Sequence, residues 1–358
     1  MKHVLYITNL PAPYKVDFLN ELGKYVKLTA AFERRRAGNR NPAWKTDAEK
    51  LNFALLWLDG FSIGNENSLD FSIVRHLKQV KYDLVLLNGY SSITDMIAIR
   101  YMRIHKITFG IVCDGMLSGQ ESLLKKSVKT NLIRSASFWL SPNDTTKKAL
   151  IQYGADRNRI YWYPFTSVRE CDIAEAPFDR IEYKRKIGCA SKYMILYVGQ
   201  MIPRKGIDVL LNAVDGLSSD CLTYLIGEKL VNASKYKKIV NKEFLSKNQL
   251  IDYYKAADVF VLPSREDIWG LVVNEAMACG TPVISTDKCG AALAMIKCGF
   301  NGSVISANEP VVLQKKINEI LQSENARTFM LETVKTAKIY TIEAMAKYTM
   351  QALQQNWQ

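Results

Sequence analysis

No run of 18 or more apolar residues occurs in the 358-residue chain, so the sequence holds no candidate transmembrane helix. Its opening, MKHVLYITNLPAPY, turns polar and proline-bearing after a few apolar residues. That pattern reads as a first core strand, too short for a secretory leader, and it predicts a cytoplasmic protein. The seven cysteines (Cys113, Cys171, Cys189, Cys221, Cys279, Cys289 and Cys298) include no C-x-x-C pair and are odd in number. This argues against a zinc site or a disulfide framework and for reduced core thiols. Only three histidines are present: His3 falls in a strand, and His76 and His105 fall late in helices, as surface or capping residues do. No D-x-D triplet occurs; the nearest pattern is Asp47-Ala48-Glu49. No short repeat or low-complexity tract interrupts the chain.

What is present is the composition of a globular protein, 48% hydrophobic and 23% charged, in a chain long enough for two domains with separate cores. The net charge of +13 is uneven: residues 1–166 carry 24 Lys/Arg against 14 Asp/Glu, and residues 167–358 carry 24 against 21. An excess confined to one half fits either an anionic partner for that half or a solvated basic surface.

Short apolar runs alternate with amphipathic segments twice over. In the first half HVLYIT (3–8), VKLTAAF (26–32), DLVLL (83–87), TFGIVC (108–113) and SFWLS (137–141) read as buried strands. YKVDFLNELGKY and ITDMIAIRYMRIHK carry the three-and-four spacing of helices. YMILYVG (193–199), LTYLIG (222–227), DVFVLPS (258–264), PVIST (282–286) and GSVIS (302–306) repeat the pattern after a polar, proline-bearing stretch. The expected fold is α/β, with two Rossmann-like parallel-sheet domains facing across a cleft: residues 1–166, a linker at 167–190, residues 191–335, and a final helix at 336–358, which in folds of this type commonly crosses back to the first domain. Open sheets of this kind bind ligands beyond the carboxyl ends of their strands.

Two stretches carry the chemistry. In SREDIWGLVVNEAMACGTPVIS, Ser264 to Ser285, the acids Asp267 and Glu275 stand seven residues apart. Asp267 lies in a loop after a strand, and Glu275 lies about one turn into the helix that follows Gly270, closed by Gly280 and Pro282. The free amides at Leu271, Val272 and Val273 form an anion site, and helical side chains lean toward the N-terminus, back to the same mouth. An ordinary surface acid is the alternative, although the apolar residues around Glu275 leave little exposed face and a buried carboxylate needs a partner. In YVGQMIPRKGIDVLLNAV, Tyr197 to Val214, a strand ends at Gly199 and Gln200, and the loop presents Arg204 and Lys205 ahead of Gly206. Basic side chains at a strand-to-helix turn suit a diphosphate, with arginine able to bind it in two-pronged fashion.

Together these stretches resemble the nucleotide-sugar-binding half of family-4 retaining glycosyltransferases of the GT-B fold, most clearly over residues 190–310. The N-terminal half, with TNLPAPYKVDFLNELGK and YGADRNRIYWYPF, is consistent with the same family. The resemblance implies that Glu275 holds the donor ribose hydroxyls, Asp267 lies near the transferred sugar, and Lys205 binds the diphosphate with help from the amides near Gly270 and Leu271. Three departures stand out. The first acid is Asp where the family usually has Glu, which makes neighbouring Glu266 a rival. Gln200 stands where an arginine is usual, a charge Arg204 restores. The loop from Thr8 to Tyr14 lacks the glycines many members carry.

The expectation is therefore metal-independent, retaining transfer of a sugar, with the nucleotide-diphosphate sugar as co-substrate and no other cofactor. The leaving diphosphate takes the acceptor proton, and Lys205, Arg204 and the helix N-terminus stabilise it. The acceptor is a glycan or a polyprenyl-diphosphate-linked glycan, as in cell-surface polysaccharide synthesis. Where many family members place a histidine, the chain offers Asp114 in VCDGM as an acceptor-orienting residue, with Asn88, Gly89 and Tyr90 in an equivalent strand-end loop. Arg34 to Arg36 and SLLKKSVKTNLIR are candidates for lipid phosphates at an anionic membrane surface or for a polyprenyl-diphosphate acceptor, or else a solvated basic loop and helix face. Two other readings remain. A sugar-nucleotide epimerase of similar fold would need acid–base side chains flanking the sugar, and a nucleic-acid binder lacks any aromatic-interleaved basic motif.

Overall fold

In the computed structural model the described residues are 1–35, 51–58, 60–63, 67–116, 121–230 and 236–357. Arg36 and the Asp47-Ala48-Glu49 pattern lie outside them. The chain divides into two compact units, residues 1–166 with 342–358, and residues 167–341.

The first unit runs β1 (His3–Thr8), α1 (Pro13–Leu22), β2 (Lys27–Phe32), β3 (Ala54–Trp57), a small antiparallel pair β4 (Phe61–Ile63) and β5 (Asn67–Leu69), then α2 (Ser72–Gln79) and β6 (Leu84–Asn88). It continues α3 (Ile93–Ile104), β7 (Phe109–Val112), α4 (Leu123–Ile133), β8 (Phe138–Ser141), α5 (Asp144–Gln152) and β9 (Ile160–Trp162). Its parallel sheet has the order β3-β2-β1-β6-β7-β8-β9. Central strands are apolar on both faces because helices cover both: Val4, Leu5, Tyr6 and Ile7 of β1 are wholly buried. Each such aliphatic side chain contributes roughly 2 kcal/mol of apolar burial. Helix starts follow local chemistry, as Pro13 opens α1 and Ser92 and Asp95 form a capping box at α3.

The second unit contains α6 (Arg180–Lys186), β10 (Tyr193–Gly199), α7 (Ile207–Asp215), β11 (Cys221–Gly227), β12 (Ile239–Glu243), α8 (Lys247–Ala256) and β13 (Val259–Leu262). Then come α9 (Leu271–Ala278), β14 (Val283–Thr286), α10 (Gly290–Met295), β15 (Gly302–Ile305), α11 (Pro310–Leu321) and α12 (Ala326–Ala337). The sheet order is β12-β11-β10-β13-β14-β15, all parallel. The last helix, α13 (Ile342–Gln354), belongs to the first unit and packs on α1.

The expected linker is not free chain. Its charges are spent on internal contacts of the second unit: the Arg180 guanidinium donates to the carbonyls of Lys255 (3.0 Å), Ala257 (2.6 Å) and Gly280, satisfying the C-terminal ends of α8 and α9. Burial lowers the Arg180 pKa to about 10, which leaves it charged at neutral pH. Lys184 bonds the Lys192 carbonyl and Asp258, each at 2.6 Å. Polarity in this stretch thus reports docking where it read as solvation. All seven cysteines are free; Cys171 and Cys298 are exposed, whereas the expectation placed the thiols in the core.

Candidate functional site

In the second unit the chain leaves β12 on one side of the sheet and resumes at β13 on the other, so β10 and β13 are neighbours whose following loops diverge. The basic turn after β10 and the acid loop after β13 are those two loops. Gly206, at φ +69°, ends the 3-10 turn Pro203–Lys205, and a Cβ there would lie 2.0 Å from the Pro263 carbonyl oxygen. Only glycine allows this positive φ and this approach of one backbone to the other.

Arg265 stitches the two loops together. It forms a two-pronged pair with Asp208 (2.7 and 2.6 Å), donates to the Pro203 carbonyl at 2.6 Å, and its amide donates to the Arg204 carbonyl at 2.9 Å. The hydrogen bonds from Arg265 hold the Asp208 carboxyl below its usual range. On this frame the Lys205 ammonium meets the Asp267 carboxylate at 2.5 Å. Asp267 is 7% exposed, and its backbone is held by the Lys288 carbonyl (2.9 Å) and the Gly290 amide (3.1 Å). Glu266, its rival, is exposed, and Arg204 is exposed with its guanidinium on the Glu266 carbonyl at 2.9 Å. The sequence reading assigned Lys205 to phosphate and Asp267 to sugar; the structure joins them to each other.

Gly270, at φ +93°, opens α9, where a Cβ would lie 2.7 Å from the Cys289 sulfur. Leu271 and Val272, partly exposed, begin the helix, and first-turn amides have no partner within their own helix. Glu275 lies farther along, partly exposed, accepting from Ser167 Oγ at 2.9 Å and Tyr254 OH at 3.1 Å. Burial raises the Glu275 pKa above the ordinary carboxylate value, and the two hydroxyl donors work against that rise. Gly199, at φ +156°, and Gln200 end β10, where the Tyr197 hydroxyl donates to the Gln200 carbonyl at 2.7 Å.

The first unit has its own polar cluster at its own switch point, between β1 and β6. Lys15, 2% exposed, donates to Asn88 Oδ1 at 2.6 Å and lies 3.2 Å from Asp114 Oδ2. The other Asp114 oxygen accepts from Asn88 Nδ2 (2.9 Å) and Tyr163 OH (3.0 Å), and Thr8 donates to Asn88 Oδ1 at 3.1 Å. Asp114 and Asn88, named from the sequence, are therefore held together. Lys15 and Tyr163 were missed, as were Ser167, Tyr254 and Arg265. Lys15 occupies a position on an amphipathic helix that reads as solvated, and only the strand order brings it under Asp114. His3 bonds Thr29 at 3.0 Å within the sheet, and His105 is the C-cap of α3.

On the same unit α4 buries only Ile133 among its eleven residues, leaving Leu123 87% and Leu124 76% exposed beside Lys125 and Lys126. A groove of about 600 Å³ there is lined by Arg103, Lys126 and Arg134 among others.

Two parallel α/β units, of seven and six strands, with charged loops at a switch point, define the GT-B glycosyltransferase fold. Residues 179–336 match the model of the glycosyl transferases group 1 family. Solved structures similar over 99% of the chain include HepE of Anabaena in complex with UDP (TM-score 0.78, 17% identity, 100% of that chain). Another is sucrose-phosphate synthase of Thermosynechococcus elongatus (TM-score 0.76, 15% identity, 99% of that chain). Among curated proteins, an uncharacterized glycosyltransferase of Methanocaldococcus jannaschii is 33% identical over 146 residues, 37% of this chain and 39% of its own length. A D-inositol 3-phosphate glycosyltransferase of Xylanimonas cellulosilytica is 26% identical over 192 residues, 49% of this chain and 46% of its own length. The chain thus spans less than half the length of these relatives.

Proposed function

We propose that the protein is a retaining, family-4 glycosyltransferase that moves a sugar from a nucleotide-diphosphate sugar to a glycan or lipid-linked glycan, in cell-surface polysaccharide synthesis. The observation that carries the reading is the second-unit switch point, where Lys205, Asp267 and the open α9 N-terminus share one frame while Glu275 presents a second carboxylate on the same helix. The diphosphate takes Lys205, with Arg204, Gly199, Gln200 and the Gly270–Val272 backbone around it. Asp267 then faces the transferred sugar and Glu275 the ribose. The acceptor hydroxyl oxygen bonds the anomeric carbon as the bond to the diphosphate breaks, and the acceptor proton passes to the leaving phosphate oxygen. Asp114, held by Lys15, Asn88 and Tyr163, orients the acceptor. Similarity to a protein solved with UDP favours UDP as the nucleotide. The epimerase alternative is the poorer match, because it needs acid–base side chains flanking the sugar and the chain holds only three histidines.

A thermal-shift panel of UDP, GDP, ADP and TDP in EDTA tests the donor site. One nucleotide is expected to stabilise the wild type and to lose its effect in Lys205→Ala, and no shift with any of them would sink the reading. Turnover in EDTA is expected to be full, since the sequence supplies no D-x-D triplet; loss restored by magnesium or manganese would overturn metal independence.

The protein is proposed to be cytoplasmic and to sit at the inner face of the membrane through α4. Each lysine or arginine near an anionic surface contributes about 1 kcal/mol, and Leu123 and Leu124 add apolar insertion. Co-sedimentation with phosphatidylglycerol-containing vesicles is expected and should be lost in Lys125→Glu/Lys126→Glu. Absence of co-sedimentation would remove the membrane contact, and binding that ignores anionic lipid content would remove the role of the lysines in it.

A further inference from the structure

We propose that Ser167 and Tyr254 are positioning residues that orient the Glu275 carboxylate to read a ribose cis-diol. This rests on the reading above, in which Glu275 takes the donor ribose. A glutamate's terminal torsion is soft and roughly two-fold, so a lone carboxylate on a helix surface does not present its oxygens in one plane. Here each oxygen has its own donor: Ser167 Oγ on Oε1 at 2.9 Å and Tyr254 OH on Oε2 at 3.1 Å. The donors come from different elements. Ser167 is the residue with which the second unit begins, and Tyr254 is a buried residue of α8. Tyr254 is itself fixed, because its carbonyl accepts from the hydroxyl of the fully buried Thr281.

An ionised carboxylate offers about four lone-pair sites, so one site on each oxygen remains open. Two hydroxyls on adjacent carbons of a ring match that pair of sites, and a nucleotide lacking one hydroxyl leaves one site unmet. The α9 segment before Glu275 is braced as well: Trp269 Nε1 donates to Asn274 Oδ1 at 2.9 Å, and the Trp269 ring packs on Tyr340 at 6.5 Å between centroids. Ser167 and Tyr254 thereby set which sugar of the nucleotide is accepted without touching it.

The experiment is calorimetric titration of UDP and 2′-deoxy-UDP, with GDP and 2′-deoxy-GDP in parallel, and pyrophosphate as a control. It uses the full chain as wild type, Ser167→Ala, Ser167→Thr, Tyr254→Phe and Glu275→Gln. Wild type is expected to prefer the ribonucleotide by about 10-fold or more, as for a hydrogen bond to a charged group. Ser167→Ala and Tyr254→Phe should each reduce that ratio to about 2- to 3-fold with pyrophosphate affinity unchanged, and Ser167→Thr should restore it. Variants that bind both nucleotides more weakly in equal measure, or that keep the wild-type ratio, overturn the positioning role. If Glu275→Gln collapses the ratio while the other variants keep it, only the positioning role falls. If Glu275→Gln also keeps the ratio, or wild type shows none, the ribose reading of Glu275 falls with it.

Discussion

Lys205→Ala is expected to lower kcat/KM by about 10²- to 10³-fold, the range found when one charge-stabilising donor is removed from a transition state. In the proposed transfer, which would ask little of side-chain bases, stabilisation of a departing diphosphate would carry most of the acceleration, and Lys205 is less exposed than Arg204 on the turn proposed to bind it. Its ammonium, 2.5 Å from Asp267, is also the counter-charge of a carboxylate that is 7% exposed. Loss of the amine therefore has a second cost. Asp267 is left in a largely dry place without its partner, worth about 2 kcal/mol once the partial exposure of the pair is discounted. The two effects separate in a double variant. Lys205→Met/Asp267→Asn removes both charges and is expected to recover thermal stability while activity stays low. Steady-state kinetics and calorimetry on the three proteins check this, and turnover of Lys205→Ala within about threefold of wild type would show that the lysine is structural only.

Gly206→Ala should give the largest fall in stability. Its φ of +69° is strained for any L side chain, at about 1–2 kcal/mol, and the new Cβ would lie 2.0 Å from the Pro263 carbonyl oxygen, which belongs to rigid backbone. One of the two loops must move, and Arg265 ties them at several points. A total cost of about 3–4 kcal/mol corresponds to a fall in Tm of roughly 6–16 °C for a domain of this size, with loss of nucleotide binding because Lys205 is the preceding residue. Gly188 is the control: its φ is +72°, yet nothing lies within 4 Å of the position a Cβ would take. Gly188→Ala should show the backbone strain alone, about 1 kcal/mol. Equal Tm values for the two variants would mean that the basic turn is not pinned against the acid loop.

The strands that follow a clear apolar run were legible because burial on both faces leaves an unbroken run of valine, leucine and isoleucine; β1, β10, β13 and β14 all lie within the expected stretches. β12 was not, because IVNKE lies at the sheet edge with most of its residues partly exposed, and an edge strand needs apolar residues on fewer sides. β3 and β9 are short and sit at the opposite edges of the first sheet for the same reason. The linker was misread because Arg180 and Lys184 look solvated in sequence and are used on buried carbonyls and on Asp258 in the fold.

By itself, the order of residues determined that there are two parallel-sheet units, and which loops carry the charge. It did so because helix and strand periodicities record burial, and because a basic turn before a glycine and two acids seven residues apart are local patterns. Which loops face each other was decided only by strand order. Lys205 and Asp267 are 62 positions apart and meet because β10 and β13 are neighbours; Lys15 and Asp114 are 99 apart and meet because β1, β6 and β7 are consecutive in the sheet. Periodicity registers that a strand is covered, and it is silent on which strand lies beside it. Partners of a half-buried carboxylate such as Glu275, drawn from residues 167 and 254, become visible only when the sheet has assembled around them.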